Sequence, residues 1–199
     1  RVLFRSLAGG TIAEHTAVRE NVGIFDVSHL GKISVTGSGA KNFVNTLITN
    51  DLNKIKSGEA QYNLLCNEKG GVIDDLIVYE ISEDQLFLIP NAANCASVEA
   101  VLNSKNKSGF VIKNEHQNFA VFAVQGPKSD AVLKELGISV TLDYMAFEKI
   151  NHPKFGEIIL CRTGYTGEFG YELLPKWNVA AELWNALVEA VAKKSGAVC

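Results

Sequence analysis

The sequence contains few of the residues that build metal centres or disulfide frameworks. Its 199 residues include only four cysteines, and these lie far apart, at positions 66, 95, 161 and 199. Because they form no C-x-x-C pair, we expect reduced thiols and no metal site. No apolar run approaches the roughly 20 residues that a membrane-spanning helix needs, so we also expect no membrane partner.

Charge of either sign is also scarce. The formal net charge is −3 and charged residues make up 21% of the chain, which gives no electrostatic reason to expect a nucleic acid as partner. We recognise no targeting segment in the opening residues, and therefore expect a bacterial cytoplasm, or a mitochondrial matrix if the source is eukaryotic. The hydrophobic content of 47% is that of an ordinary globular protein. A length of 199 residues fits one domain or a compact pair.

Strand-like and helix-like segments are mixed along the chain, which predicts an α+β fold. Strands are predicted at 31–37, 60–66, 72–81, 85–90, 118–125, 145–150, 156–162 and 169–175. Helices are predicted at 11–21, 39–48, 91–105, 126–137 and 178–194. The turn-forming sequence NEKGG makes the second and third strands a hairpin, and Thr11, with Glu14 three residues later, is the predicted N-cap of the first helix. Hairpins interrupted by single helices favour split βαβ, ferredoxin-like units with antiparallel sheets over a doubly wound parallel sheet.

Two adjacent aspartates, Asp74 and Asp75, stand inside an otherwise apolar predicted strand. Successive side chains of a strand point to opposite faces, so Asp75 shares a face with Tyr79, and Asp74 shares one with Leu76 and Val78. At least one carboxylate must therefore lie beside hydrophobic side chains, where an unpaired charge would cost several kcal/mol. A hydrogen-bond network, a strand end open to water or a ligand would have to offset that cost. Capping of a turn is the commoner role of such a pair.

Three further stretches carry polar residues that could serve a site. The glycines of RTGYTGEFGYEL, residues 162–173, recur at every third position, which matches neither the dinucleotide fingerprint nor the phosphate-binding P-loop. In FDVSHLG, the residues Asp26, Ser28 and His29 invite comparison with a catalytic triad, but triad members normally come from separate segments. We therefore expect turn or cap hydrogen bonds from Asp26 and Ser28. Asn91, in PNAAN, ends an apolar strand, a position typical of ligand-contacting residues.

Taken in order, six motifs resemble those of one protein family. They are AVRENVGIFDVSHLGKI, ITNDL, YNLLCNEKGGVIDDLIVY, IPNAAN, AVQGPKS and RTGYTGEFGYEL. This set is similar to the aminomethyltransferase, or T-protein, of the glycine cleavage system, and the resemblance runs from about Thr11 to the C-terminus. It implies a folate-binding aminomethyltransferase fold over residues 11–199, built as one α+β body or as two packed α+β subdomains.

The resemblance also implies a reaction. The family takes the aminomethyl group from the lipoylated H-protein and transfers the one-carbon unit to tetrahydrofolate, its co-substrate, with release of ammonia. Asp75 matches the family's essential aspartate, which would orient folate, stabilise positive charge or transfer a proton, whereas Asp74 would be structural. The residues that match folate contacts of the family are Tyr62, Tyr79, Asn91, Tyr144, Tyr165 and Glu172.

An alternative without catalysis stays open at this point. The folate domains of dimethylglycine and sarcosine dehydrogenases, and folate-dependent proteins of iron–sulfur cluster assembly, are related to the T-protein. The assembly proteins are marked by a K-G-C-[YF]-x-G-Q-E motif, and the sequence contains no such motif. A non-catalytic folate-binding module is therefore the second hypothesis, behind the transferase.

The sequence departs from the family near both ends. Residues 1–10 lack the Gly-Trp segment and the Met-Pro-like turn that the family places before its first helix, so we expect missing residues near Ser6–Leu7. A Cα–Cα distance above the roughly 3.8 Å of a trans peptide would mark such a gap. The sequence also stops where the family continues into a β-rich C-terminal domain, which we expect to be absent from these 199 residues.

Overall fold

The computed structural model describes residues 10–139 and 141–199. They divide into two compact units. Unit 1 comprises the described parts of Arg1–Ser28, Ala120–Tyr144 and Glu148–Cys199, and unit 2 comprises His29–Phe119 and Met145–Phe147. The expected gap near Ser6–Leu7 lies outside the described residues.

Hydrogen bonding defines eleven strands and five α-helices in the described residues. The strands are β1 (Gly23–Asp26), β2 (Ile33–Thr36), β3 (Glu59–Cys66), β4 (Val72–Ser82), β5 (Gln85–Pro90), β6 (Val111–Asn114), β7 (Phe122–Gln125), β8 (Phe147–His152), β9 (Gly156–Cys161), β10 (Gly170–Pro175) and β11 (Ala197–Val198). The helices are α1 (Thr11–Glu20), α2 (Ala40–Asn45), α3 (Cys95–Lys105), α4 (Ser129–Glu135) and α5 (Trp177–Ala192). No helix of the described residues combines the length and apolar character needed to cross a membrane.

Unit 1 is built on a six-stranded sheet in the order β11-β1-β7-β10-β9-β8. The β1–β11 pair is parallel, whereas β1–β7, β7–β10 and β10–β9 are antiparallel. Helix α5 places Leu183, Leu187 and Val191 in the same buried cluster as Ile24 and Leu173 of the sheet. These helix residues recur at a spacing of four, which is why the apolar pattern predicted this helix from sequence.

Unit 2 is built on a five-stranded sheet in the order β3-β4-β5-β2-β6, with antiparallel neighbours throughout. Its buried cluster joins Leu76 and Val78 of β4 to Leu88 of β5 and to Val98 of α3. The predicted hairpin is confirmed, because β3 and β4 pair in antiparallel register. The α+β class with antiparallel sheets is thus confirmed.

One local prediction is wrong, because Thr11 does not cap helix α1. Thr11 is the first helical residue, and the cap position belongs to Gly10, which has φ of 99° and receives no side-chain cap hydrogen bond. Glycine has no Cβ and therefore adopts a positive φ without strain. A capping-box pattern at sequence level does not distinguish these two neighbouring positions.

Candidate functional site

The two adjacent aspartates of β4 have different surroundings. Asp74 is only 1% exposed and points to the face that also carries the buried residues Leu76 and Val78. Asp75 is half-buried. The register of β3 against β4 shifts at Cys66, immediately beside the partner of Asp74, so the two carboxylates lie at the point where regular strand pairing ends.

The buried carboxylate of Asp74 is fully engaged by neighbouring amides. Its Oδ2 accepts a hydrogen bond from the backbone N–H of Asn91 at 2.9 Å. Its Oδ1 accepts from the side-chain Nδ2 of Asn91 at 3.1 Å and of Asn94 at 2.7 Å. Three donors thus replace the water that this carboxylate loses on burial, which makes the position tolerable for a charged group.

The carboxylate of Asp75 is held from both sides. The phenol of Tyr62 donates to Oδ2 at 2.9 Å, and the Nδ2 group of Asn91 donates to Oδ1 at 3.0 Å. Leu64 of β3 lies directly opposite Asp75 of β4, and Tyr62 lies two residues before Leu64 on the same face of β3. Tyr62 and Asp75 are therefore diagonal neighbours, at a separation that a tyrosine side chain can span. The hydrogen bond to Asp75 is the main cause that raises the pKa of the Tyr62 phenol above its ordinary value.

Tyr79 and Tyr62 both lie in this hairpin but differ in exposure. Tyr62 is 47% exposed, whereas Tyr79 is buried. The ring of Tyr79 packs edge to face on Phe147, with 5.3 Å between the ring centroids. In unit 2, the structure thus joins Tyr62, Asp75 and Asn91 by direct hydrogen bonds and gives Tyr79 a packing contact.

Glu172 belongs to a second polar cluster, in unit 1. It is 5% exposed, and the hydroxyl of Thr163 donates a hydrogen bond to its carboxylate. The neighbouring Gln125 is also buried, and its Nε2 donates to the carbonyl oxygens of Thr163 and Tyr171, both at 3.1 Å. These bonds tie strand β7 to β10 and to the loop that precedes it.

One glycine of the motif, Gly170 at the start of β10, has a packing reason. A Cβ on Gly170 would lie 2.5 Å from the carbonyl oxygen of Val124 and 2.7 Å from the Gln125 side chain. Such distances are far below van der Waals contact, so the position excludes any larger residue unless β7 shifts. Gly170 therefore permits the close approach of β10 to β7.

The other two predicted residues of unit 1 are exposed tyrosines. Tyr144 is 71% exposed and lies 6.0 Å, ring centroid to guanidinium carbon, from Arg162. Tyr165 is 65% exposed and lines a groove of about 390 Å³ with Val18, Phe25 and other residues. Among the described residues, the lining of that groove includes neither Tyr144 nor Glu172.

Two of the triad-like residues of FDVSHLG, Asp26 and Ser28, bond to the backbone. The backbone N–H of Ser28 donates to Asp26, and the Ser28 hydroxyl accepts from the backbone N–H of Val121 at 3.0 Å. The expected turn hydrogen bond of Asp26 is thus present, whereas the Ser28 hydroxyl is bonded to a residue 93 positions away in the chain. In residues 10–139 and 141–199, no three His, Cys, Asp or Glu side chains are grouped as a metal site.

Comparison of the sequence with models of known protein families identifies the family of this chain. A family model described as the GCVT N-terminal domain matches residues 3–198, which is nearly the whole chain. The chain belongs to the GCVT N-terminal domain family. The motifs that carry the resemblance in the sequence all fall within the matched residues.

Proteins of known name that resemble this GCVT N-terminal domain are longer. An aminomethyltransferase of Mycolicibacterium paratuberculosis is 52% identical over 187 residues, which cover 94% of this chain and 51% of that protein. One from Parafrankia is 50% identical over 190 residues, covering 96% and 52% respectively. The chain thus spans about half the length of the curated relatives it matches.

Solved structures extend the comparison. The glycine cleavage system aminomethyltransferase T from Bartonella henselae matches with a TM-score of 0.81 and 30% identity, over 90% of this chain and 48% of that one. A heterotetrameric sarcosine oxidase from Corynebacterium matches with a TM-score of 0.64 and 15% identity, over 99% of both chains. At that identity the second match shows a shared fold alone.

The structure of this family member adds site residues that the motifs did not single out. They are Asn94, which holds Asp74, and Gln125 and Thr163, which surround Glu172. Asn94 stands three residues after Asn91, a spacing that a 3-10 turn places on one side of the chain. That spacing was visible in PNAAN, whereas nothing near Thr163 or Gln125 in sequence indicates their contacts with distant segments.

Tyr171 in the second cluster supports a prediction about alkaline stability. Burial, and then a hydrogen bond of 2.8 Å to Asp130, raise the pKa of Tyr171 to about 12. In the unfolded chain this phenol has a pKa near its ordinary value of 10.0. The raised pKa of the folded state therefore stabilises the protein fully below pH 10, and this stabilisation is lost as pH rises through about 12. Urea unfolding between pH 8 and pH 12 should show a shallower loss of stability in Tyr171→Phe. Parallel pH profiles in the two proteins would contradict the assignment.

Proposed function

We propose that the protein to which these residues belong transfers a one-carbon unit from an aminomethyl group on a lipoylated H-protein to tetrahydrofolate, with release of ammonia. We assign residues 11–199 to its folate-binding region. The observation that carries the proposal is the half-buried carboxylate of Asp75, held by Tyr62 and Asn91 in a member of the GCVT N-terminal domain family. The names of the similar aminomethyltransferases support the same conclusion.

The chemistry of Asp75 fits this reaction. Positive charge develops as the one-carbon unit exchanges its bonds to the lipoyl sulfur and the amino nitrogen for bonds to two folate nitrogens, with the lipoyl thiol and ammonia leaving. A fixed carboxylate stabilises such charge without having to reorient. The donors on its two oxygens restrict its rotation. The same carboxylate can accept a proton during the transfer, and proton transfer of this kind typically contributes about a hundred- to ten-thousand-fold in rate.

The remaining predicted residues suit the recognition of a pterin and its substituents. Glu172 can accept charge-assisted hydrogen bonds from the amino and ring N–H groups of a pterin, and its burial keeps competing water away. Aromatic side chains provide flat apolar contacts for such a ring. We propose folate contacts for Tyr62, Tyr79, Asn91, Tyr144, Tyr165 and Glu172.

A transfer assay tests the proposal directly. The protein is mixed with tetrahydrofolate and aminomethyl-lipoyl H-protein, and formation of methylenetetrahydrofolate and ammonia is followed. Transfer that depends on the H-protein supports the enzyme. Saturable folate binding in calorimetry without any transfer would support the alternative, a non-catalytic folate-binding module. Absence of both binding and transfer would refute the folate assignment.

Substitution of Glu172 gives a prediction about affinity. Glu172→Gln should weaken tetrahydrofolate binding by about tenfold or more, because hydrogen bonds to a charged group contribute about 1.5–3 kcal/mol each. Calorimetric titration measures the change. Glu168→Gln is the matched control, since Glu168 lies four residues earlier, in the loop before β10, and forms a partly exposed ion pair with Arg19. Equal affinities of the two variants would argue against a pterin contact at Glu172.

A further inference from the structure

The side-chain amide of Asn91 lies between the two aspartates. Its Nδ2 atom is 2.9 Å from the backbone oxygen of Asp75, 3.0 Å from Oδ1 of Asp75 and 3.1 Å from Oδ1 of Asp74. An amide nitrogen has two hydrogens, so these three acceptors share them. One nitrogen thus links the buried carboxylate to the half-buried one.

The orientation of this amide is set from the buried side. Asp74 accepts both the backbone N–H of Asn91 and its Nδ2, and so fixes the residue at two points. Asn94 in turn donates to the same Oδ1 of Asp74 at 2.7 Å, the shortest bond of this set. If the Asn91 amide turned over, its carbonyl oxygen would face the oxygens of two aspartates, which repel it.

We propose that Asp74 and Asn94 are positioning residues for Asp75, acting through the amide of Asn91. The inference rests on the proposed function, in which Asp75 is the carboxylate that meets the reacting nitrogens. Asn94 holds Asp74, Asp74 orients Asn91, and Asn91 sets the direction of Asp75 Oδ1. Tyr62 holds the other oxygen of Asp75, so the carboxylate plane is defined by one bond at each end.

A purely structural role for Asp74 predicts a different set of effects. In a purely structural role, Asp74 needs only three donors that reach its carboxylate. Loss of one of these donors would then affect the stability of unit 2 alone. Positioning requires in addition that the loss of a bond to Asp74 displaces Asp75. The two roles therefore differ in what happens at Asp75 when Asp74 itself is left unchanged.

Asn94→Ala is the variant that separates them, because it removes one donor and leaves both carboxylates in place. We expect kcat of the one-carbon transfer to fall about tenfold, since displacement of a reacting group by a fraction of an ångström has effects of this order. The dissociation constant of tetrahydrofolate should change less than kcat, because the side chain of Asn94 bonds to Asp74 and reaches the proposed folate contact Asn91 only through it. Asn103→Ala is the matched control, as the amide of Asn103 donates only to the carbonyl oxygen of Glu99 within helix α3.

The phenol of Tyr62 supplies a second readout that needs no turnover. Its pKa is raised chiefly by the hydrogen bond to Asp75, so displacement of Asp75 should lower this pKa toward 10.0, its ordinary value. The tyrosine rings are labelled with carbon-13, and an NMR titration against pH measures the pKa of the Tyr62 phenol. The Tyr62→Phe variant assigns the signal. Asp74→Asn is less suitable here, because the charge of Asp74 itself also raises the Tyr62 pKa.

A fall in kcat that exceeds the change in folate affinity, together with a lower Tyr62 pKa in Asn94→Ala, supports the proposal. An unchanged Tyr62 pKa overturns it, whether or not the variant is less stable, and so does a lower Tyr62 pKa with normal kcat. If the unaltered protein transfers no one-carbon unit, the proposed function fails by itself. The Tyr62 titration then still decides whether Asn94 positions Asp75.

Discussion

Asp75→Asn is expected to lower the rate of one-carbon transfer by about a hundred- to ten-thousand-fold while leaving the fold intact. Asparagine has nearly the shape of aspartate and keeps one oxygen that can accept from Tyr62 or Asn91. It loses the negative charge that would stabilise a positively charged reaction centre. It also loses the ability to take up a proton. The rate of methylenetetrahydrofolate formation with saturating H-protein measures this loss.

The interpretation of this variant requires a folded protein and a comparable control. Circular dichroism and urea unfolding should show that Asp75→Asn keeps most of its stability, because Asp75 is only half-buried. Asp84→Asn is the control, since Asp84 is an exposed carboxylate of the same unit that accepts the backbone N–H of Gly39. A near-normal rate in Asp75→Asn would remove Asp75 from the reaction, and an equal loss in the control would show that the effect is not specific.

Asp74→Ala is expected to act on stability instead. It removes the acceptor of the Asn91 backbone N–H and of the Asn94 side chain, while the side-chain amide of Asn91 keeps its bonds to Asp75. Each buried donor left unsatisfied costs about 1–3 kcal/mol. Because partial hydration will relieve some of this cost, we expect the free energy of unfolding to fall by about 3 kcal/mol. For a chain of this size that corresponds to a decrease in melting temperature of roughly 6–12 °C. Thermal unfolding and urea unfolding measure the change independently.

The comparison of Asp74 with Asp84 makes this prediction specific. Asp84→Ala removes an exposed acceptor of one backbone N–H, and such surface changes usually alter stability by about 0.5–1 kcal/mol. A loss below about 1 kcal/mol in Asp74→Ala would mean that the Asn91 and Asn94 donors find water or other acceptors. The buried network would then contribute little to the stability of unit 2.

The parts of the fold that could be predicted from sequence are those with local periodic patterns. Helix α5 and the β3–β4 hairpin follow directly from apolar spacing and from the turn sequence NEKGG. The strands β1, β6 and β11 were not predicted, and they have only four, four and two residues. Such short strands are defined by their partners, which are distant in the chain, so no local pattern indicates them.

The candidate site was predictable to a similar degree. Two adjacent carboxylates in an apolar strand required partners, and the motif resemblance named Asn91 among the family's folate contacts. The sequence did not show that the side chain of Asn91 bonds to both aspartates, or that Asn94 shares in holding Asp74. These bonds join residues 16 to 20 positions apart, and they depend on where β5 ends beside β4.

The shared amide of Asn91 has an evolutionary consequence. A single side chain serves both a buried and a half-buried carboxylate. Under the proposed function, a genetic change at this position is therefore expected to alter the stability of the protein and its chemistry together. Selection acting on either property therefore holds the other in place. Divergence of this scaffold toward new substrates would have a freer route through Tyr62, whose side chain is 47% exposed and donates its hydrogen bond to the half-buried carboxylate.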